Sequence, residues 1–156
     1  MMESSQLRWG AVAVVNHIAH PISVARRILI DLSQANLSQT NFSGASLNGI
    51  NLSKTNLSGA NLSKAELCDA NLSEADLTNA NLEAAVLFRA NLNGAILNGM
   101  NLRWTALTHI TPKTIDLSHT TLNRTILPGG YPSDGFTTTP NYKLQITNYD
   151  KYGLNC

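Results

Sequence analysis

Ala60-Asn61-Leu62-Ser63-Lys64, Ala65-Glu66-Leu67-Cys68-Asp69 and Ala70-Asn71-Leu72-Ser73-Glu74 are three successive copies of one five-residue pattern. Their period decides the fold. A step of five matches neither the 3.6 of an α-helix nor the 2 of a flat strand, so amphipathic readings fail and a repeat architecture is implied. Working outward, leucine holds the same step at 32, 37, 47, 52, 57, 77, 82, 87, 92, 97, 102, 107, 117, 122 and 127. Phe42 and Pro112 fill the two missing steps, so twenty units run from Ile30 to Gly129 without insertion or deletion.

The positions of the unit differ in chemistry. With Leu as the centre, the slot two before it holds Ala ten times, Thr five, Ile four and Met100 once, and never a charge. The residue just before the centre is Asn or Asp in twelve units, types whose side chains bond nearby backbone amides and tolerate turn geometry. The two residues after the centre vary among polar types, as expected of groups facing water. Two positions in five therefore point inward, and a charge in the small slot, as in Ala75→Glu, is expected to prevent folding.

These residues match the A(D/N)Lxx signature, and over roughly residues 30 to 129 the chain resembles the pentapeptide-repeat proteins, in particular the cyanobacterial-type members. The resemblance implies an all-β solenoid, a right-handed quadrilateral β-helix in which four units complete a coil. Twenty units then make about five coils and, at a strand spacing of about 4.8 Å, a rod roughly 24 Å long.

Composition agrees with that expectation. Hydrophobic residues make up 43% of the 156 but aromatics only 6%, as a narrow Leu/Ala interior has little room for rings. The formal net charge is +1, which argues against direct nucleic-acid binding. Cys68 and Cys156 are too few for a disulfide scaffold, and no CxxC pair is present to hold zinc. Redox compartment is left open by this count, with a lean towards the cytoplasm.

The flanks lack the repeat. In residues 1–29, Leu7, Ala11, Val14, Val15 and Ile18 recur at helical spacing and Pro21 ends the run, predicting a helix over about 5–19 that caps the open end of the solenoid. As a secretory signal the same segment is poor: the apolar stretch Trp9 to Val15 is short and no cleavage site follows. Cytoplasmic localisation is expected, with export to a periplasm- or lumen-like compartment as the alternative, and no segment is long enough to span a membrane. Residues 130–156 hold all four tyrosines, and Tyr142 to Ile146 alternates like a strand. This stretch reads equally as a second cap or as a tail that is partly mobile or docks on another copy of the chain.

Candidate chemistry is sparse. His109 and His119 belong to units two apart, on opposite sides of a four-sided coil, and His17 and His20 have no third ligand nearby, so no metal and no cofactor is expected. Cys68 occupies an outward slot and reads as a tolerated surface residue. Glu66, Asp69, Glu74, Asp76 and Glu83 are expected on different faces, which does not support a paired-carboxylate enzyme.

Four units break the polar rule before the centre, at Val86, Ile96, Ala106 and Ile126, and three of these are twenty residues apart, one full coil. Val86, Ala106 and Ile126 should stack, with Phe88 and Arg89 on the same face and Trp104 at the preceding corner. Aromatic and Arg side chains are typical interface anchors. Two readings of the patch stand: a surface for an unidentified protein partner, or a surface covered by the chain's own tail. The expected function is a non-catalytic protein-interaction scaffold. The alternative, implied by family members that mimic DNA and bind gyrase, requires a strongly negative surface, whereas residues 30–129 hold seven acidic and six basic groups.

Overall fold

The computed structural model describes residues 31–112, 114–130, 132–133 and 143–145. The expected helix over 5–19, with the cap it would form, lies outside these residues, as does most of 130–156.

Within them the chain returns to the same place every twenty residues. Parallel bridges Asp31↔Asn51, Asn36↔Asn56, Asn41↔Asn61 and Ser46↔Glu66 open four rows, which end at Asn91↔Thr111, Asp76↔Ile96, Asn101↔Thr121 and Ala106↔Ile126. Four units therefore complete one turn, and the rows define a first, second, third and fourth face in that order. Three backbone bonds join successive coils on each side, as where Leu52 N–H donates to Asn71 O (2.8 Å), Lys54 N–H to Ser73 O (2.9 Å) and Asn71 N–H to Ile50 O (2.9 Å).

Each corner is a tight turn closed by a bond such as Thr55 N–H to Leu52 O (3.3 Å). Its third residue has positive φ, glycine at some corners but a residue with a Cβ at twelve others, among them Lys54 (58°), Arg89 (57°) and Trp104 (61°). A left-handed residue with a Cβ costs about 1 to 2 kcal/mol, and the bonds between coils offset it.

The residue before the centre secures the corner. In all twelve Asn or Asp units its side-chain oxygen accepts the amide N–H two residues on, from Ser33 at Asp31 (2.9 Å) to Ser118 at Asp116 (2.9 Å). That is the Asx-turn chemistry expected from composition.

The interior is two residue types deep. Leu57, Leu62, Leu67, Leu72, Leu77, Leu82 and Leu87 are fully buried, as are Ala60, Ala65, Ala70, Ala75, Ala80, Ala85 and Ala90. Each such leucine is worth about 1.5 to 3 kcal/mol. Threonine shares the small slot because its hydroxyl finds an acceptor there: Thr55 donates to Leu32 O (2.9 Å), Thr105 to Leu82 O (2.6 Å), Thr120 to Leu117 O (2.7 Å) and Thr125 to Leu102 O (2.6 Å). Leu32 and Leu122, towards the two ends of the stack, are only partly buried.

Pro112 marks a local defect, and the register resumes after it: Leu117 and Leu127 are buried, and Thr121 and Ile126 pair with the coil beneath. Ile110 and Ile115 pack into the core on either side, as their small-slot positions predict. The lost bonds are not those of Pro112 itself. Amides of the centre residues donate towards the following coil, and Pro112 lies in the last one, so its missing N–H faces the open end. The break falls on the second face. Among the described residues no bridge joins Ile96 to Asp116, and the Leu97 amide and Ala95 carbonyl lack backbone partners. Instead strand β1 (Thr114–Asp116) pairs antiparallel with strand β2 (Lys143–Gln145), inside the segment whose alternation predicts a strand. A cleft of about 240 Å³ opens between Ile96 and Asp116.

After Leu127 the chain reverses. Gly130 N–H bonds Leu127 O (2.7 Å), Pro132 pairs antiparallel with Ile126, and Ser133 N–H bonds Thr125 O (2.8 Å), covering the last strand edge of the fourth face.

Candidate functional site

The fourth face departs from the other three in its side chains, not its backbone. Val86, Ala106 and Ile126 stack through parallel bridges, as their twenty-residue spacing requires. None of the three offers an oxygen to the corner. Beneath them the row is polar: Ser46 Oγ donates to Glu66 Oε2 (3.1 Å), and Asn48 Nδ2 donates to the same oxygen (2.9 Å).

The residues after the centres form a second column, Asn48, Cys68, Phe88, Thr108 and Pro128. Arg89 and His109 project from the adjacent corner. The Phe88 and His109 rings meet edge to face with centroids 5.0 Å apart, and the Arg89 guanidinium lies 5.2 Å from the Phe88 ring. Arg89 also makes a bidentate bond to Asp69 one coil below (Nε and Nη2, 2.7 Å each), which raises its pKa above the ordinary arginine value, first through the hydrogen bonds and then through the charge. Trp104 sits at the preceding corner, 48% exposed, with the Arg124 guanidinium 4.5 Å from its ring.

Val86, Ala106 and Ile126 thus form one column, Phe88, Arg89 and His109 one cluster and Trp104 with Arg124 a separate pair at the preceding corner, and the predicted residues are unequally accessible. Arg89 and Trp104 are exposed, Val86, Phe88 and Ile126 half-buried, and Ala106 buried. Thr108 is 2% exposed, and its hydroxyl has no hydrogen-bond partner among the described residues.

Cys68 requires a correction. The outward slot predicts an exposed surface thiol, whereas the residue is 2% exposed and disulfide-bonded, with its amide held by Asn48 Oδ1 (2.8 Å). No local signal pairs it with another residue. The one available clue is arithmetic: the sequence holds a single further cysteine, Cys156.

The remaining candidates are dispersed. His109 and His119 lie on the fourth and second faces, the latter lining the cleft. Among the described residues no group of three His, Cys, Asp or Glu side chains converges as metal ligands, and no helix is long and apolar enough to cross a membrane. His17 and His20 lie outside the described residues. Glu74 faces Lys54 (3.9 Å), Glu83 accepts from Asn101 Nδ2 (3.3 Å), and Asp76 caps Thr78 N–H (2.9 Å), so each of these carboxylates serves its own row.

A twenty-residue, four-sided coil with a Leu/Ala interior and Asx-capped corners defines a pentapeptide-repeat β-solenoid. The model of that family, described as pentapeptide repeats in eight copies, matches residues 30–69, 50–87 and 85–109, and the chain belongs to the family. The family implies the right-handed sense of the coil. Similar solved structures include HetL, a pentapeptide-repeat protein involved in heterocyst differentiation regulation in the cyanobacterium Nostoc sp. strain PCC 7120, at 33% identity, covering 67% of this chain and 41% of HetL, TM-score 0.46. Another is alr5209, also from Nostoc, at 32% identity, covering 68% of this chain and 88% of its own, TM-score 0.37. QnrB1, a plasmid-mediated fluoroquinolone resistance protein, is similar at 20% identity over 61% of this chain and 56% of its own, TM-score 0.37. The match thus spans about two fifths of HetL and just over half of QnrB1. A search of curated protein sequences gave no match.

Proposed function

We propose that the solenoid is a non-catalytic scaffold that presents its fourth face and the adjoining corner to a protein partner. The observation that carries this reading is the Trp104–Arg124 pair, a half-exposed indole under a guanidinium on a surface otherwise made mostly of Asn, Ser and Gly. Tryptophan and arginine are enriched at interface hot spots, tryptophan for its large, rigid contact area and arginine for a planar guanidinium that stacks and forms several hydrogen bonds. The positive φ of Trp104 at a hydrogen-bonded corner fixes the direction in which its side chain leaves the rod. Val86, Phe88 and Ile126 continue the apolar surface from that corner.

The near balance of charge supports this reading over mimicry of DNA, which needs a strongly negative surface. The test is capture of a cross-linked, identified partner by wild type and by Trp104→Ala and Arg124→Ala. Either variant should weaken capture by about tenfold or more while its melting temperature stays near the parent's. Capture unaffected by both substitutions would overturn the reading, and inhibition of gyrase supercoiling by the purified protein would favour the DNA-mimic alternative.

A further inference from the structure

On the second face the interior of the rod opens outward. From Leu37 to Leu117 every centre position is buried except Leu97 and Pro112, and from Thr40 to Thr125 every small slot is buried except Ala95. These three exceptions meet in the cleft of about 240 Å³ and, with Leu92 and Ile115, give it an apolar lining. Ile96 also lines it, 47% exposed at a position where most units carry a corner-capping Asn or Asp. A concave apolar opening with a few convergent polar groups is the usual form of a binding site.

The polar groups here belong to the backbone, and they define the occupant. Ala95 offers a carbonyl and Leu97 an amide, and neither has a backbone partner among the described residues. The gap is bounded on both sides: Leu92 N–H bonds Thr111 O (2.6 Å) before it, and Gly99 N–H bonds His119 O (2.8 Å) after it. One coil below, the same two kinds of group are satisfied by a single residue, Ile96, whose N–H donates to Ala75 O (2.9 Å) and whose carbonyl accepts from Leu77 N–H (2.9 Å). The open pair at Ala95 and Leu97 therefore has the register of one residue of a parallel strand. An extended polypeptide supplies the complementary charges, the partial positive of its N–H against the Ala95 oxygen and the partial negative of its carbonyl against the Leu97 amide. Side chains alternate along a strand, so the residue opposite Ile96 lays its side chain beside that isoleucine, while those of its two neighbours point to the apolar lining.

We propose that this cleft is a docking site for a short extended segment of a partner polypeptide, about three residues with small aliphatic side chains, which completes the broken row of the second face by strand addition. The segment supplies the bridge that is absent between Ile96 and Asp116. Main-chain bonds to Ala95 and Leu97 hold it, and the apolar lining selects its side chains. At a rise of about 3.3 Å per residue, the bonds at Leu92 and Gly99 leave no room for a longer strand. The site lies on the side of the coil opposite the fourth face and does not rest on the reading given to Trp104 and Arg124.

The experiment follows single backbone amides of the full chain by nuclear magnetic resonance while the capped tripeptide acetyl-Ala-Val-Ala-amide is added. In the free protein the Leu97 amide should exchange about a hundredfold faster than the bonded Leu77 amide, and saturating peptide should slow it about tenfold. Protection of Leu97 equal to that of Leu77 without peptide would show the row already closed and overturn the site. Exchange left unchanged up to the solubility limit of the peptide would overturn it as well. The same peptide methylated on the valine nitrogen keeps every side chain but has no N–H for Ala95, so it should bind about tenfold more weakly. Equal binding of the two peptides would make the cleft an apolar cavity without strand recognition and overturn the proposal. Ile96→Asn restores the prevailing residue at that position, and should weaken the peptide about threefold or more while the melting temperature stays near the parent's. An affinity unchanged by that substitution would overturn the placement of the segment beside Ile96.

Discussion

The first and fourth faces are built on the same backbone and differ in one column of side chains. On the first, Asn51 Nδ2 donates to Asp31 (2.9 Å), Asn71 to Asn51 (3.2 Å), Asn91 to Asn71 (3.1 Å) and Thr111 Oγ1 to Asn91 (3.1 Å), an unbroken ladder up the rod. Each of its Asn and Asp side chains also caps its own corner. On the fourth face Val86, Ala106 and Ile126 do neither. The corners there still form, so the side-chain ladder is not what closes the coil. Stacked backbone bonds and the shared Leu/Ala interior carry the fold, which leaves each outer column open to a different use: polar and self-satisfied on one side, apolar on the other.

The most damaging test removes what both faces share. Ala75→Glu places a carboxylate at a fully buried small slot, and circular dichroism should show no folded protein. Leu77→Ala, also fully buried, should cost about 2 to 5 kcal/mol by denaturant titration. If both variants melt within a degree or two of the parent, the inward assignment of the two positions is wrong.

Phe88→Asp probes the fourth face alone. Under a cover the change should cost about 1 to 3 kcal/mol and lower the melting temperature by several degrees. Unchanged melting together with lost partner capture would make the face an open interface instead. Asn71→Val imitates the fourth face on the first, removing the Ser73 cap and both ladder links, and should cost about 1 to 2 kcal/mol. The reverse exchange, Val86→Asn, should stay within about 1 kcal/mol of neutral. Equal costs for the two substitutions would erase the contrast between the faces.

The smallest effect is protonic. The Asp31 carboxylate accepts the Ser33 amide, its largest stabilising contact, then bonds the Ser33 side chain and Asn51, which together hold its pKa below the ordinary 3.8. A carboxylate with a lowered folded pKa adds stability above its unfolded value, and that contribution is lost as pH falls through the folded one. A slight loss of stability below pH 3.8 should therefore be present in the parent and absent from Asp31→Asn.

What could be read from the sequence was whatever repeats locally. The inward Leu and Ala, the Asx caps and the stacking of Val86 over Ala106 follow from spacing alone, because a fixed period converts sequence distance into spatial neighbourhood. Pro112 stood out as a break in the leucine step, but where the bonds are lost did not: among the described residues the groups without backbone partners fall at Ala95 and Leu97, since the direction of the bonds between coils cannot be read from composition. The buried state of Cys68 was illegible for a related reason. A disulfide is not set by the period, so an outward slot alone could not reveal it. Trp104 and Phe88 share the apolar reading in the sequence, yet the period does not separate the exposed ring from the half-buried one.

The return of the chain every twenty residues also makes length a quantised property. Excising twenty residues from the middle shortens the rod by one storey, about 4.8 Å, and sets every surviving column back on its own kind. Excising five leaves the Leu/Ala interior intact but turns everything beyond the cut by a quarter revolution, so that asparagines of the first face come to rest on the apolar column of the fourth. To the core the two deletions are nearly alike. To anything that reads the surface, one yields a shorter version of the same object and the other a scrambled one.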